Sequence, residues 1–432
     1  MADFVVARVV GGSFMKNLEI YIHIPFCFKK CAYCDFLSFS SDEKTQIAYA
    51  DALIREIEFY GPKMKGYLVS TIFIGGGTPT WLNEEKMLEI LDALNTYFQI
   101  SPEAEVTMEC NPGTVTMEKL KKYRKAGVNR LSIGLQSADD EELKLLGRIH
   151  TYEKFVNTYE MAKKAGFYNI NIDLISGIPY QTAEKFLRSL QKVVRLKPNH
   201  ISVYSLIVEE GTPFYEAYQS DLERQEAGLE TEMLPTEDEV YRTIKLTQQF
   251  LAKAGYEQYE ISNFAQPGYA CDHNIGYWTR ENYLGLGLGA ASLLENVRYT
   301  NKTDIFEYIE GSHQIAFVSE TEKFAMEKEK REMLLTDSCH IMPNFKTNLH
   351  MTADVLTRKA QMEEFMFLGL RMNCGVTRAK FEECFGIPIE GVYGIVLDKL
   401  KKQELLQIHA GKISLTEKGQ DVSNYVLAQF LL

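Results

Sequence analysis

The chain has 432 residues, 45% hydrophobic and 25% charged, the composition of a folded protein with room for one large domain and a smaller one. A formal net charge of −12 argues against nucleic acid or anionic membrane as the main partner, and no apolar run reaches transmembrane length. Residues 1–16 are mildly apolar but interrupted by Asp3 and Arg8, with no clear small-residue cleavage site. No signal peptide is expected, and a reduced, cytoplasmic setting is.

From Glu19 onward, short β-type runs alternate with longer amphipathic ones. Strands are predicted at 19–24, 70–75, 105–110, 130–135, 169–175 and 201–207, and helices near 43–60, 84–98, 117–126, 140–165, 182–196 and 236–254. Steady alternation of this kind predicts parallel βαβ units, and six of them predict a partial barrel that binds its ligands at the carboxyl ends of the strands. The first strand runs into YIHIPFCFKKCAYCDFLSF, residues 21–39, where Cys27, Cys31 and Cys34 are spaced C-x3-C-x2-C. Three thiols so close, with the next at Cys110, fit a metal centre better than a disulfide framework. Structural zinc takes four protein ligands, and His23 on the strand is not placed to be the fourth. A four-iron cluster on three thiolates leaves one iron open to a second molecule. A zinc site completed from elsewhere in the chain is the alternative.

The later strand ends carry further polar groups. The second ends in Gly75-Gly76-Gly77-Thr78, where glycine lets backbone approach a ligand closely and present N–H groups to an anion or zwitterion; a tight strand-to-helix turn is the plainer reading. The third ends at Glu109, a carboxylate able to accept from a ribose or an ammonium, followed by Cys110, read as a buried small hydrophobe. Gln136, Arg148 and Asp173 add an amide, a fixed cation and an anion, a set that orients a zwitterion or a propionate, or else forms a salt-bridged loop cluster. Residues 219–239 are acidic and read as an exposed loop or short helix.

The cysteine motif resembles that of the radical S-adenosylmethionine (SAM) superfamily. HIPFC before the first cysteine and YCDF around the third resemble the branch that holds oxygen-independent coproporphyrinogen III oxidase and the radical SAM haem chaperones. The resemblance implies a partial (β/α)6 radical SAM barrel with a [4Fe–4S] cluster on Cys27, Cys31 and Cys34, whose open iron is chelated by the amino and carboxylate groups of SAM. It further implies SAM contacts from Tyr21, Tyr33, Phe36, Gly76, Gly77, Thr78, Glu109, Gln136, Arg148 and Asp173. On the same pattern, translation is expected to start at Met15, with residues 1–17 an N-terminal extension.

A second unusual stretch, residues 256–292, carries His273-Asn274-Ile275-Gly276-Tyr277-Trp278. From chemistry alone, a histidine among aromatics is either a packed core residue or a haem ligand. The run matches the HNxxYW signature of the haem chaperones, which implies haem at His273, Asn274, Tyr277 and Trp278. The glycines at 285, 287 and 289 alternate as a strand lying close to another backbone would.

The barrel is expected to span 18–300, followed by a linker and inserted segment over 301–358. Within it, Cys339, His340, Met342, His350 and Met351 offer soft and imidazole ligands, though surface elaboration is the plainer reading. Residues 359–432 read as a small, mainly helical, winged-helix-like domain for docking or as a lid. They hold nine Lys+Arg and nine Asp+Glu, without the basic surface a duplex binder needs.

Two functions fit the resemblance. One is a haem chaperone. The other is an enzyme, the oxygen-independent coproporphyrinogen III oxidase, oxidatively decarboxylating propionates by radical chemistry. The oxidases carry a further cysteine two residues after the third cluster thiolate, where this chain has Phe36, and they lack HNxxYW. Both differences favour the chaperone. The partners implied are a haem-accepting protein, an electron donor such as a flavodoxin or ferredoxin, and transient contact with a membrane protein.

Overall fold

The computed structural model describes residues 9–10, 13–316 and 346–432. Cys339, His340 and Met342 lie outside them. The six predicted strands are β1 (Lys16–Ile24), β2 (Tyr67–Gly76), β3 (Ile100–Cys110), β4 (Arg130–Gln136), β5 (Asn169–Ser176) and β6 (His200–Ser205), paired in parallel in that order. The crossovers are helices α1 (Glu43–Tyr60), α2 (Glu84–Tyr97), α3 (Met117–Lys125), α4 (Tyr152–Lys164) and α5 (Ala183–Arg195). Each begins at a side chain that accepts a first-turn N–H: Asp42, Asn83, Thr116, Thr151 and Thr182. The partial (β/α)6 barrel is borne out.

Each strand divides its residues between two faces. Ile20, Ile22, Ile72, Ile74, Met108, Leu131, Ile133, Ile170 and Ile172 join one hydrophobic core with the helices. The alternate positions turn inward and are polar: Glu19 and Tyr21, Thr71, Glu105, Thr107 and Glu109, Arg130 and Ser132, Asn171 and Asp173, His200, Ser202 and Tyr204. A polar interior of this kind is stable only where its groups find hydrogen-bond partners.

The sheet extends past both ends of the barrel. Beyond β6, helix α6 (Glu237–Lys253) leads to β7 (Glu257–Gln258) and β8 (Asn263–Ala265), which pair antiparallel. Helix α7 (Asp272–Thr279) follows, and then β9 (Tyr283–Leu286), parallel to β1. Strands β10 (Ala291–Leu294), β11 (Val297–Asn301) and β12 (His350–Val355) continue antiparallel, giving this sheet twelve strands among the described residues. Gly285 lies in β9, where a Cβ would meet the Ala291 carbonyl oxygen at 2.1 Å. Gly287 and Gly289 have positive φ and form the turn after the strand instead of continuing it. Of the soft-ligand segment, His350 is a packing residue, 4.7 Å from the Tyr299 ring with Nε2 on the Tyr60 hydroxyl, while Met351 is exposed.

The predicted helix over 140–165 is two helices, because Gly147 with φ +74° turns the chain between them. Within the acidic stretch Asp221 is buried, accepting from the N–H groups of Glu232, Met233 and Leu234. The winged-helix expectation holds: helices Arg358–Gly369, Phe381-bearing Arg378–Phe385 and Glu390–Lys402 close a separate core with the hairpin Leu406–His409/Lys412–Leu415. This unit packs on α7, on β11 and on the β7–β8 edge through Arg280–Glu364, Arg298–Glu364 and Asn373 N–H to the Tyr259 carbonyl respectively. It contributes no residue to the cavity at the carboxyl ends of the barrel strands. Among the described residues no helix is long and apolar enough to cross a membrane.

Candidate metal and cofactor site

A cavity of about 330 Å³ opens at the carboxyl ends of β1–β6, lined by Cys27, Cys31 and Cys34 on one side. The loop that bears them folds back on itself, Cys27 N–H to Phe39 O and Phe39 N–H to Pro25 O, and is tied to the barrel by Ala32 N–H to Leu146 O. His23 cannot serve as a ligand there. Its Nδ1 meets the Tyr21 hydroxyl at 2.9 Å and its Nε2 the Leu37 carbonyl at 2.9 Å. The described cysteines are free, and burial pushes the Cys27 and Cys34 thiols up.

Among the described residues no three Cys, His, Asp or Glu side chains gather round a single point as one metal ion requires. The three thiols share a cavity wall instead. That suits a cluster, whose thiolates each bind a different iron, better than zinc. Two sulfurs already have donors: the Thr78 hydroxyl reaches Cys27 Sγ at 3.5 Å and Arg148 reaches Cys31 Sγ at 3.5 Å. Hydrogen bonds to sulfur of this kind tune an iron–sulfur centre.

Sequence reasoning passed over Asn111, which organises both donors. Its amide nitrogen donates to Thr78 Oγ1 at 2.7 Å, and its oxygen accepts from Arg148 at 2.7 Å. It sat in the Cys110-Asn111-Pro112-Gly113 turn, and only the fold reveals that the turn faces the cysteine loop. Arg148 is also held by the Gly134 carbonyl at 2.8 Å.

The remaining predicted residues mostly converge. Tyr33, Phe36, Gly76, Gly77, Thr78, Glu109, Gln136, Arg148 and Asp173 all line the cavity. Tyr21 stands outside this lining, one layer deeper, stacked on Phe73 with ring centres 6.4 Å apart. The glycine segment works differently from expectation. Its N–H groups are not offered to a ligand: Gly76 donates to Glu109, Gly77 to Ile24 O and Thr78 to Phe26 O. What glycine supplies is closeness, since a Cβ on Gly76 would lie 2.6 Å from the His23 ring and one on Gly77 2.8 Å from the Phe26 carbonyl oxygen.

The acceptors are Glu109 and Asp173, both half-buried in the cavity wall. Burial, with Asp173 beside it, pushes the Glu109 carboxyl up to about 8. Asp173 is also raised by burial, against hydrogen bonds from Ser132 and Asn171, each 2.8 Å. Two acids side by side in a partly enclosed cavity favour a cationic guest such as an ammonium or sulfonium. Gln136 is held at φ +70° at a register shift between β4 and β5. The wall opposite the cysteines is apolar: Ile175, Tyr204, Leu206 and Ile207, with Phe36 on the cysteine side.

His273, Asn274, Tyr277 and Trp278 are not in this cavity. They lie on α7, which fills the barrel interior from the other end. The His273 ring stacks on Phe73 at 5.3 Å, its Nδ1 is 2.7 Å from Thr71 Oγ1, and burial pushes it down to about 3. The signature thus forms a floor beneath the site. Its partners, Thr71, Glu105 and Arg130, were legible only as polar residues recurring every second position in otherwise apolar strands.

The model of the radical SAM superfamily matches residues 21–193, and that of the HemN C-terminal domain matches 356–422. A protein of Lactococcus lactis subsp. lactis (strain IL1403) named heme chaperone HemW is 36% identical over 417 residues, 96% of this chain and 98% of that protein. Its namesake in Bacillus subtilis (strain 168) is 34% identical over 412 residues, covering 95% and 98%. The chain belongs to the HemW branch of the radical SAM superfamily. Among solved structures, the radical SAM enzyme coproporphyrinogen III oxidase (HemN) from Escherichia coli superposes with a TM-score of 0.76 over 96% of this chain and 90% of its own. At 23% identity that likeness shows the shared fold. HemW-type sequence and HemN-like fold agree with the motif reading, in which Phe36 separates this chain from the oxidases.

Proposed function

We propose that this HemW-type chain is a haem chaperone of radical SAM type, which binds a [4Fe–4S] cluster, SAM and haem and delivers haem to an acceptor protein. The observation that carries the reading is the cavity that gathers three free thiols, the hydrogen-bond donors Thr78 and Arg148 and the acids Glu109 and Asp173 at one set of strand ends. Cys27, Cys31 and Cys34 would hold the cluster, and the donor set of three thiols fits its three protein-bound irons. When bound, the cluster supplies an open iron for the amino and carboxylate groups of SAM and an electron to share with it.

The chain's own residues do the rest. Thr78 and Arg148 stabilise negative charge on the sulfurs, Glu109 and Asp173 take cationic and hydroxyl groups of SAM, and Gln136 and Tyr33 flank them. The apolar wall keeps water from the pocket. Haem is assigned to His273, Asn274, Tyr277 and Trp278 on the floor helix. His273 would offer haem its Nε2, which is buried without a hydrogen-bond partner while Nδ1 is engaged by Thr71. An electron donor such as a flavodoxin or ferredoxin and a haem-accepting protein are the partners this reading requires.

The test is a titration of anaerobically reconstituted protein with haem, followed by its Soret band. Saturation at one haem per chain is expected. A featureless titration overturns the proposal.

A further inference from the structure

Behind Asp173 a single line of hydrogen bonds crosses the barrel interior. Ser132 Oγ donates to one carboxylate oxygen and Asn171 Nδ2 to the other, each at 2.8 Å, and Asn171 Nδ2 also reaches Ser132 Oγ at 2.8 Å. On its far side Asn171 Oδ1 accepts from Ser202 Oγ at 3.2 Å and meets His200 Nδ1 at 2.6 Å. His200 Nε2 in turn meets the Tyr259 hydroxyl at 2.9 Å, and that hydroxyl accepts from Cys271 N–H at 3.4 Å. The line therefore steps from β5 to β6 and on to the turn between β7 and β8, inside the unusual stretch 256–292. Of these residues only Ser132 and Asp173 line the cavity.

The ends of the line set the sense of each link. With the Asn171 amide nitrogen on the Asp173 carboxylate, its oxygen faces His200, so Nδ1 carries the ring proton and Nε2 accepts from the Tyr259 hydroxyl. Burial, with the Arg130 guanidinium nearby, pushes His200 well below its ordinary value and keeps the ring neutral, as that arrangement needs. Both His200 and Asn171 are buried, and neither has a buried polar atom left without a partner. A buried polar line of this kind adds little net stability over apolar side chains of the same shape. Its value lies in the one orientation that a fully satisfied network imposes at its end.

We propose that Asn171, His200 and Tyr259 are positioning residues for the cofactor pocket, holding the Asp173 carboxylate in one orientation toward a cationic or hydroxyl group of SAM. The inference rests on the reading that SAM is bound in this cavity. It adds that part of the affinity is set from a segment that never touches the cofactor. Because His200 and Tyr259 stand outside the cavity lining, removing their polar atoms deletes no contact to a bound molecule and acts only through Asp173.

The test is equilibrium dialysis of radiolabelled SAM against the anaerobically reconstituted full chain. His200→Phe removes both ring nitrogens while filling similar space, which frees Asn171 to turn; SAM should bind about tenfold more weakly, with the iron–sulfur absorption retained. His200→Asn keeps an N–H at the place of Nδ1 and should recover most of the affinity. Packing alone predicts the opposite order, since asparagine fills the site less well than phenylalanine. Tyr259→Phe removes only the hydroxyl on Nε2, leaves Nδ1 able to donate, and should weaken SAM about threefold. That variant decides alone if His200→Phe does not fold. Wild-type affinity in Tyr259→Phe and His200→Phe overturns the inference, and so does a loss in His200→Phe that His200→Asn does not recover. Failure of the wild type itself to bind SAM overturns the reading of the cavity instead, so the two failures are distinguishable.

Discussion

Asn111 holds the donors of two cysteine sulfurs with one side chain, which makes it the residue through which the loop and the barrel agree on geometry. Replacing it with alanine leaves Thr78 and Arg148 without that anchor. Loss of ~1 kcal/mol of hydrogen bonding to a one-electron centre corresponds to about 40 mV, so Asn111→Ala should lower the cluster's midpoint potential by tens of millivolts while iron is still bound. Potentiometric titration followed by EPR reads this directly. Changing Cys27, Cys31 or Cys34 to alanine should abolish the broad iron–sulfur absorption, and Cys110→Ala should keep it. Cys110 is buried, and its thiol is pushed up to about 12 by that burial. The three cysteines were legible because the chemistry fixes their spacing. Asn111 was not, because its role depends on two partners 33 and 37 residues away in the chain.

The elements themselves were legible where one period dominates. The strands at 130–135 and 169–175 match β4 and β5 almost to the residue, and α1 matches its prediction. The failures have local causes. Gly147, at positive φ, splits a continuous helical pattern and turns Arg148 toward Cys31, so the broken helix is what builds the site. Strand β12 is not legible in the sequence because none of its residues is buried and they supply little apolar periodicity. The extension it belongs to is locked to α1 by Glu56, which is fully buried and accepts from Gly287 N–H, Asn301 Nδ2 and the Tyr308 hydroxyl. Burial, opposed by those donors, pushes the Glu56 carboxyl up to about 7 from its ordinary 4.5. A raised carboxyl favours the folded state most while protonated. Its contribution, on the order of 3 kcal/mol, is complete below about pH 4.5 and is lost as pH rises through about 7. Thermal melting of wild type and Glu56→Gln between pH 5 and pH 8 should therefore show the wild type losing stability relative to the variant with rising pH. Parallel curves contradict this assignment.

At the scale of the whole molecule, the barrel presents different chemistry at its two ends. Thiols, acids and an apolar wall face one opening, and helix α7 fills the other end with the C-terminal unit packed behind it. The stacked rings of Tyr21, Phe73 and His273 occupy the space between, with Tyr21 bonded to His23 under the cysteine loop. The measurement that tests the central claim most directly offers one reduced, SAM-supplied preparation of reconstituted protein to haem and, separately, to coproporphyrinogen III. Stoichiometric haem binding by Soret absorption, with no decarboxylated porphyrinogen by mass spectrometry, is the predicted result; turnover of coproporphyrinogen III without stoichiometric haem binding would contradict it.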